Sequence, residues 1–347
     1  ALPMMITRSQ LPSSPVSTTT PPLVHDHSSP VSTTTPPRSP VTHLCSPTTS
    51  GELYERSIRE AGICADHLVV QPNRKTASCA VVSERAGMQR TMRTLFVDAA
   101  RLDVGELREE LLAASFCFVS SYTCYFEGMI ERLVELGEAA GCSILLDLGS
   151  FEIVKRWVLI STDDVRPSAG TRPPSDALTR ASLGRVSSRF SGRLDGLFRR
   201  VDYCVCNEDE AAAFAKVHFT GSSDDYKNDE VFDATAAWML DHGVKSAVII
   251  TLGERGSILY ERSPPSPPSP PSSSGVTRTD VAAVRLDDGA VDPTGAGDAF
   301  CAGLLYALAT RKPLHAAVKT ASAAGAAAVK SVGAELSPSA LQGSVMM

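Results

Sequence analysis

From residue 51 onward, apolar positions at helical spacing alternate with short runs of β-branched and aromatic residues. GELYERSIREAG (51–62) puts Leu53, Ile58 and Ala61 on the inner face of a predicted helix. HLVV, ASCAVV and TMRTLFV, within about residues 68–97, read as short strands, and VGELREELLAA (104–114) as a helix. SFCFVSSY (115–122) predicts a buried strand. FEGMIERLVELGEAAG (126–141) predicts a helix with Met129, Ile130, Leu133 and Leu136 inward, and CSILLDLGS (142–150) a second strand. The same rhythm gives a helix near 187–200, the strand VDYCVCN (201–207), helices over 208–217 and 230–242, and the strand SAVIITLG (246–253). SILYE (257–261) and VAAVRL (281–286) read as paired strands, and helical runs over 296–310 and 314–333 close the pattern. This βαβ alternation predicts an α/β fold whose parallel sheet is covered on both faces, with ligands bound beyond the carboxyl ends of the strands.

Three stretches break the pattern. Residues 1–50 hold ten of the 23 prolines, and SSPVSTTTPP occurs twice, at 13–22 and 28–37. So few large apolar side chains cannot offset the entropy of ordering the tract, which is expected to be a disordered extension. Its hydroxylated, acid-poor character also resembles an organelle transit peptide, so a plastid or other organelle stands beside the cytoplasm as the expected compartment. The chain does not begin with Met, which suggests a fragment or processed product. Residues 161–184 lack periodicity, and SPPSPPSPPSSS (263–274) interrupts the expected hairpin; both read as disordered solvent inserts, and 341–347 as a tail. One folded domain over 51–340 remains.

Composition narrows the function. The 347 residues carry a net charge of −6, which argues against a surface that grips nucleic acid or anionic membrane, and no apolar run is long enough for a membrane-spanning helix. The nine cysteines contain no CxxC pair, and Cys204 and Cys206 should share one face of a strand as small buried hydrophobes.

The segment richest in chemistry is Asp292-Pro293-Thr294-Gly295-Ala296-Gly297-Asp298, which runs into a small-residue helix. Residues with little or no side chain here let an anion approach the first helical N–H groups, at the positive end of the helix dipole. Asp298 falls in the first helical turn. It serves there either as a helix-end stabiliser or as an acceptor for a hydroxyl proton. Neither a GxxxxGK[ST] loop nor a dinucleotide GxGxxG motif accounts for the segment.

DPTGAGDAFCAGLL (292–305) resembles the C-terminal signature of the ribokinase/pfkB family of carbohydrate and nucleoside kinases. Asn207-Glu208-Asp209-Glu210 is similar to that family's NxxE motif, ITLGERGSILY (250–260) to its ATP-side strand and turn, and LLDLGSF (145–151) to a strand ending at the active site. The resemblance implies a ribokinase-like three-layer α/β/α domain with a mostly parallel central sheet and a small β lid near 68–97. It implies an enzyme that moves the γ-phosphoryl group of ATP to a hydroxyl of a small-molecule sugar or nucleoside. Asp298 would be the base, and the N–H groups of Gly295, Ala296 and Gly297 the anion hole. Asn207 and Glu210 would hold Mg²⁺ through water. Thr251, Gly253 and Gly256 would border the nucleotide, and the helix over 321–329 with Gly333 would line the adenine pocket. A monovalent cation such as K⁺ would sit near Asp292 and Thr294. NEDEAAAFAK (207–216) and LLDLGSFEIV (145–154) look most like the adenosine-kinase-like branch. The chain departs from the family in having no GGxxxN segment, so the first strand or strands and an acceptor-gripping piece are expected to be missing. The alternative is therefore a catalytically impaired, nucleotide-binding relative.

Overall fold

The computed structural model describes residues 6–7, 44–45, 49–63, 65, 68–71, 74–84, 89–95, 103–107, 114–126, 128–160, 194–219, 226–262, 275–287 and 289–334. The expected inserts at 161–184 and 263–274, the tail, most of the helix expected over 104–114 and the first half of that expected over 187–200 lie outside these residues.

A seven-stranded sheet runs in the order β1 (Ile6–Thr7), β6 (Phe116–Ser120), β7 (Ser143–Asp147), β8 (Tyr203–Asn207), β9 (Ala247–Thr251), β10 (Ser257–Arg262) and β11 (Val276–Val281). Strands β6 to β9 are parallel neighbours, whereas β1 pairs antiparallel with β6, β10 with β9 and β11 with β10. The N-terminal tract thus adds two two-residue strands. Ile6–Thr7 lies on the edge of β6, and β2 (Leu44–Cys45) pairs parallel with β3 (Val69–Val70). Helix α1 (Thr49–Glu60) follows β2. Strands β4 (Ser78–Glu84) and β5 (Gln89–Leu95) form a separate antiparallel pair in continuous register.

Two layers of helices cover the sheet. On one face lie α2 (Met129–Ala139), α3 (Phe151–Ile160), α4 (Leu194–Phe198), α5 (Glu208–His218) and α6 (Asp229–Asp241); on the other lie α7 (Ala296–Ala309) and α8 (Leu314–Ala328). Strand alternation separates the two cores. Cys204 and Cys206 point into the first and Val205 into the second, so the two cysteines share a face as their spacing predicts. All seven cysteines whose side chains are described are free thiols. Phe198, Phe214 and Trp238 meet edge-on, with ring centroids 5.0–6.1 Å apart, and tie α4, α5 and α6 together. Burying a ring of this size contributes about 1.5–3 kcal/mol.

Two local expectations change. Residues 281–286 do not form a strand beyond Val281, because the partner of β10 begins directly after the insert, with Arg262 opposite Val276 and Ser257 opposite Val281. Gly256 decides that register. Its φ is 95°, and a Cβ there would lie 2.1 Å from the Val281 carbonyl oxygen. Helix α3, where the sequence pattern assigns no element, begins directly after the β7 loop. Among the described residues no helix is long and apolar enough to cross a membrane.

Candidate active site

The site forms where β7, β8 and β9 end and α7 begins. Asn207 closes β8 opposite Thr251 of β9, and Asp147 closes β7 opposite Val205. Asn207 is then the N-cap of α5. Its Oδ1 accepts the Glu210 N–H at 2.9 Å, Glu210 Oε2 accepts the Asn207 N–H at 2.9 Å, and Glu210 Oε1 accepts the Asn207 amide at 2.8 Å. This reciprocal capping box explains the NxxE spacing locally, since each side chain satisfies the other's backbone donor. It also fixes a carboxyl that is only 3% exposed. Burial first, and then the nearby Asp147, push the Glu210 pKa up, against the Asn207 hydrogen bonds that lower it. Its neighbours in the first turn are solvent-side residues with partners of their own. Glu208 pairs with Arg255 at 2.6 Å and Asp209 with Lys227 at 2.5 Å. The Arg255 contact joins the turn after β9 to the start of α5.

Asp147 was not singled out from the sequence, although LLD at the end of a buried strand is the signal that could have found it. It is recessed but still reachable by solvent. Desolvation by the surrounding protein raises its pKa to about 7, with Asp298 adding a like-charge contribution and the Gly149 N–H opposing both. The Cys301 thiol on α7 is pushed up by burial and then by Asp147, Asp298 and Glu210 in turn. Asp147 at one strand end is thus influenced by Asp298 at one helix start and itself acts on Glu210 at another. Like charges gathered in a desolvated site favour the protonated carboxyl. Among the described residues, no group of three or more His, Cys, Asp or Glu side chains is placed to ligate a metal directly.

The loop opposite is built by Asp292, which is 4% exposed. Its Oδ1 accepts the Thr294 N–H at 2.9 Å and the Thr294 hydroxyl at 2.6 Å, while Oδ2 accepts the Gly333 N–H at 3.0 Å. Asp292 and Thr294 thus shape the turn, and Gly333, with φ 94°, is drawn to it from the far end of α8. Gly295 is the N-cap of α7 with φ 80°, and a Cβ there would press on Ala334 at 3.0 Å. Gly297 faces open space, with nothing within 4 Å of the position a Cβ would take.

The three expected anion-hole donors do not behave alike. The Ala296 N–H donates to the Pro293 carbonyl at 3.2 Å, whereas those of Gly295 and Gly297 have no acceptor among the described residues. The bare donors are thus the two glycines flanking Ala296. Asp298 follows at the third helical position, beside them and within electrostatic reach of Asp147. Helix α8 packs closely on α7. A Cβ on Gly303 would meet Ala324 at 2.8 Å, and one on Gly325 would meet the Ala296 carbonyl at 3.3 Å. The small residues of 321–329 therefore have a packing role of their own. Thr251 closes β9 with its hydroxyl 3.4 Å from the Cys206 carbonyl, Gly253 opens the following turn with φ 60°, and Gly256 is locked under Val281.

Residues 176–340 match the family model of the pfkB family carbohydrate kinases. No curated protein matches the chain in sequence. Among solved structures, the adenosine kinase from Sinorhizobium meliloti is 19% identical with a TM-score of 0.64, over 89% of this chain and 78% of that one. The ribokinase from Thermotoga maritima is 16% identical with a TM-score of 0.58, over 88% and 80%. A putative ribokinase II from E. coli, in complex with ATP and Mg²⁺, is 17% identical with a TM-score of 0.60, over 85% and 78%. At these identities the likeness establishes the ribokinase-like fold.

Proposed function

We propose, from the match of residues 176–340 to the family model of the pfkB family carbohydrate kinases, that the chain moves the γ-phosphoryl group of ATP to a hydroxyl of a sugar or nucleoside. The observation that carries the proposal is the start of α7, where two N–H groups without acceptors flank an open approach and a carboxylate follows at the third helical position. A phosphate oxygen fits the space beside Gly297, where no described neighbour lies within 4 Å of the position a Cβ would take. Asn207 and Glu210, with Asp147 nearby, would hold a divalent cation through its waters, because Mg²⁺ usually keeps several of them. When bound, ATP supplies the phosphoryl group and Mg²⁺ neutralises its negative charge.

The chain's own groups do the rest. Asp298 takes the proton from the acceptor hydroxyl, and the Gly295 and Gly297 N–H groups stabilise negative charge at the helix N-terminus. Glu210, held in place by Asn207, and Asp147 would orient the waters of a bound cation. The Asp292 turn holds Gly295 in its left-handed conformation, and Gly333 ties the end of α8 to that turn. The acceptor is a nucleoside or a free sugar. The sequence of 207–216 and 145–154 favours the nucleoside.

The test is release of ADP from Mg²⁺-ATP across a panel of nucleosides and sugars, with the unmodified chain and with Asp298→Asn. The expected result is turnover on at least one acceptor, lost by on the order of 10²–10⁴-fold in the variant while ATP still binds. Near-normal turnover by Asp298→Asn would reduce the residue to a helix-end stabiliser.

A further inference from the structure

A pocket of about 350 Å³ opens on the flank of the molecule between α3 and α5, and none of its lining residues belongs to the site at the start of α7. Its floor is Ala212 and Ala213, whose small side chains leave the space between the two helices. Its rim carries Lys155 from α3, Lys216 from α5 and Lys227 from the segment before α6, against Asp209, the single carboxylate among the described lining residues. Lys227 pairs with that carboxylate. The other two ammonium groups have no carboxylate partner among the described residues. They are instead held over aromatic faces, Lys155 Nζ 4.8 Å from the centre of the Phe151 ring and Lys216 Nζ 5.2 Å from that of Tyr226. A ring positions a cation without neutralising it. The pocket therefore keeps two uncompensated, pre-positioned positive charges in a chain whose net charge is −6.

We propose that this pocket binds a small phosphate ester, its dianionic phosphate held between Lys155 and Lys216 and its organic body lying against the alanine floor between the two rings. A phosphomonoester carries about −1.5 to −2 charges at neutral pH, which matches the two free ammonium groups. Lysine is a common point-charge partner for phosphate, and the volume is at the lower end of the range for small-molecule sites. Binding here also bridges α3 and α5, the helices that leave the strand ends carrying Asp147 and Asn207.

The experiment measures acetylation of individual lysines in the intact chain by an amine-reactive reagent, read by peptide mass spectrometry at constant ionic strength. The probes are adenosine 5′-monophosphate, ribose 5-phosphate, inorganic phosphate and neutral adenosine. The expected result is slower acetylation of Lys155 and Lys216 with either ester, no change at the exposed Lys319, and no protection by adenosine. Equal protection by inorganic phosphate at the same concentration would overturn the ester in favour of free phosphate. Unchanged rates with every probe would overturn the site itself. In calorimetry with ribose 5-phosphate, the double variant Lys155→Met/Lys216→Met should lose about tenfold or more in affinity for this site. Unaltered binding by a folded double variant would equally dismiss the proposal. Both readouts are of binding, so they stand whether or not Asp298 proves to be a catalytic base.

Discussion

At the scale of single residues, Asp147 has the clearest pH signature. Its carboxyl is raised from 3.8 to about 7, chiefly by desolvation and then by Asp298. The folded protein thus holds a proton that the unfolded chain has already released. The associated stability is complete below 3.8 and is lost as pH rises through about 7. Unfolding free energy of the unmodified chain should accordingly fall more steeply between about pH 4 and pH 7 than that of Asp147→Asn, by up to about 1.4 kcal/mol per pH unit, and the two profiles should run parallel above that range, as thermal melts across pH would record. Parallel profiles throughout would show that the carboxyl is not held protonated. On the proposed function, added Mg²⁺ should raise the midpoint at pH 8 in the unmodified chain and less so in the variant, which a thermal melt with and without the cation would record.

At the scale of elements, three glycines that look alike in sequence should respond differently to alanine. Gly256→Ala forces a Cβ against the Val281 carbonyl at a φ of 95°, so the β9–β10–β11 hairpins must shift. It should cost about 1–3 kcal/mol, visible as a lower denaturant midpoint. Gly303→Ala drives a methyl into Ala324 and the Ala321 backbone and should wedge α7 away from α8, with a similar loss. Gly297→Ala meets nothing within 4 Å, and alanine is the better helix former by about 1 kcal/mol. It should leave the fold as stable or more so. Under the proposed function the new methyl occupies the approach to the helix N-terminus, so nucleotide binding measured by calorimetry should weaken without a fall in stability. Intact nucleotide affinity in Gly297→Ala would move the phosphate elsewhere.

At the scale of the whole molecule, the strands that matter close without the proline-rich insert. Arg262 and Val276 are the last pair of the β10–β11 ladder and already stand opposite each other. Replacing residues 263–274 by a short Gly-containing turn should leave the thermal midpoint within a few degrees, and loss of folding would show that the insert packs on the domain. The N-terminal tract is a different case. Its composition predicts no role in the core, yet Ile6 and Thr7 pair with Cys117 and Phe116 on the edge of β6. Two residues of pairing add little stability, but they cover one end of a strand edge that would otherwise be open. Deletion of residues 1–48 should therefore change the midpoint little while increasing self-association, measured by light scattering.

The sequence by itself determined the alternation of strands and helices, because burial on both faces writes continuous apolar runs for strands such as ILL and VII and a 3.6-residue period for the helices between them. It also marked the Asp292–Asp298 loop and Asn207–Glu210, since turns and caps are local and their chemistry lies within a few residues. Only the tertiary structure decided what meets what. Asp147 reads as an ordinary strand end until β7 sets it beside a helix that starts about 150 residues later, and its raised pKa comes from that desolvation and from Asp298. The engaged Ala296 N–H follows from how the Pro293 turn closes. The start of β11 at Val276, rather than at 281, follows from the place of Gly256 under Val281. Hydrophobic period and capping are properties of neighbours along the chain. Shared protons, strand register and close approach are properties of neighbours in space, and no local pattern encodes them.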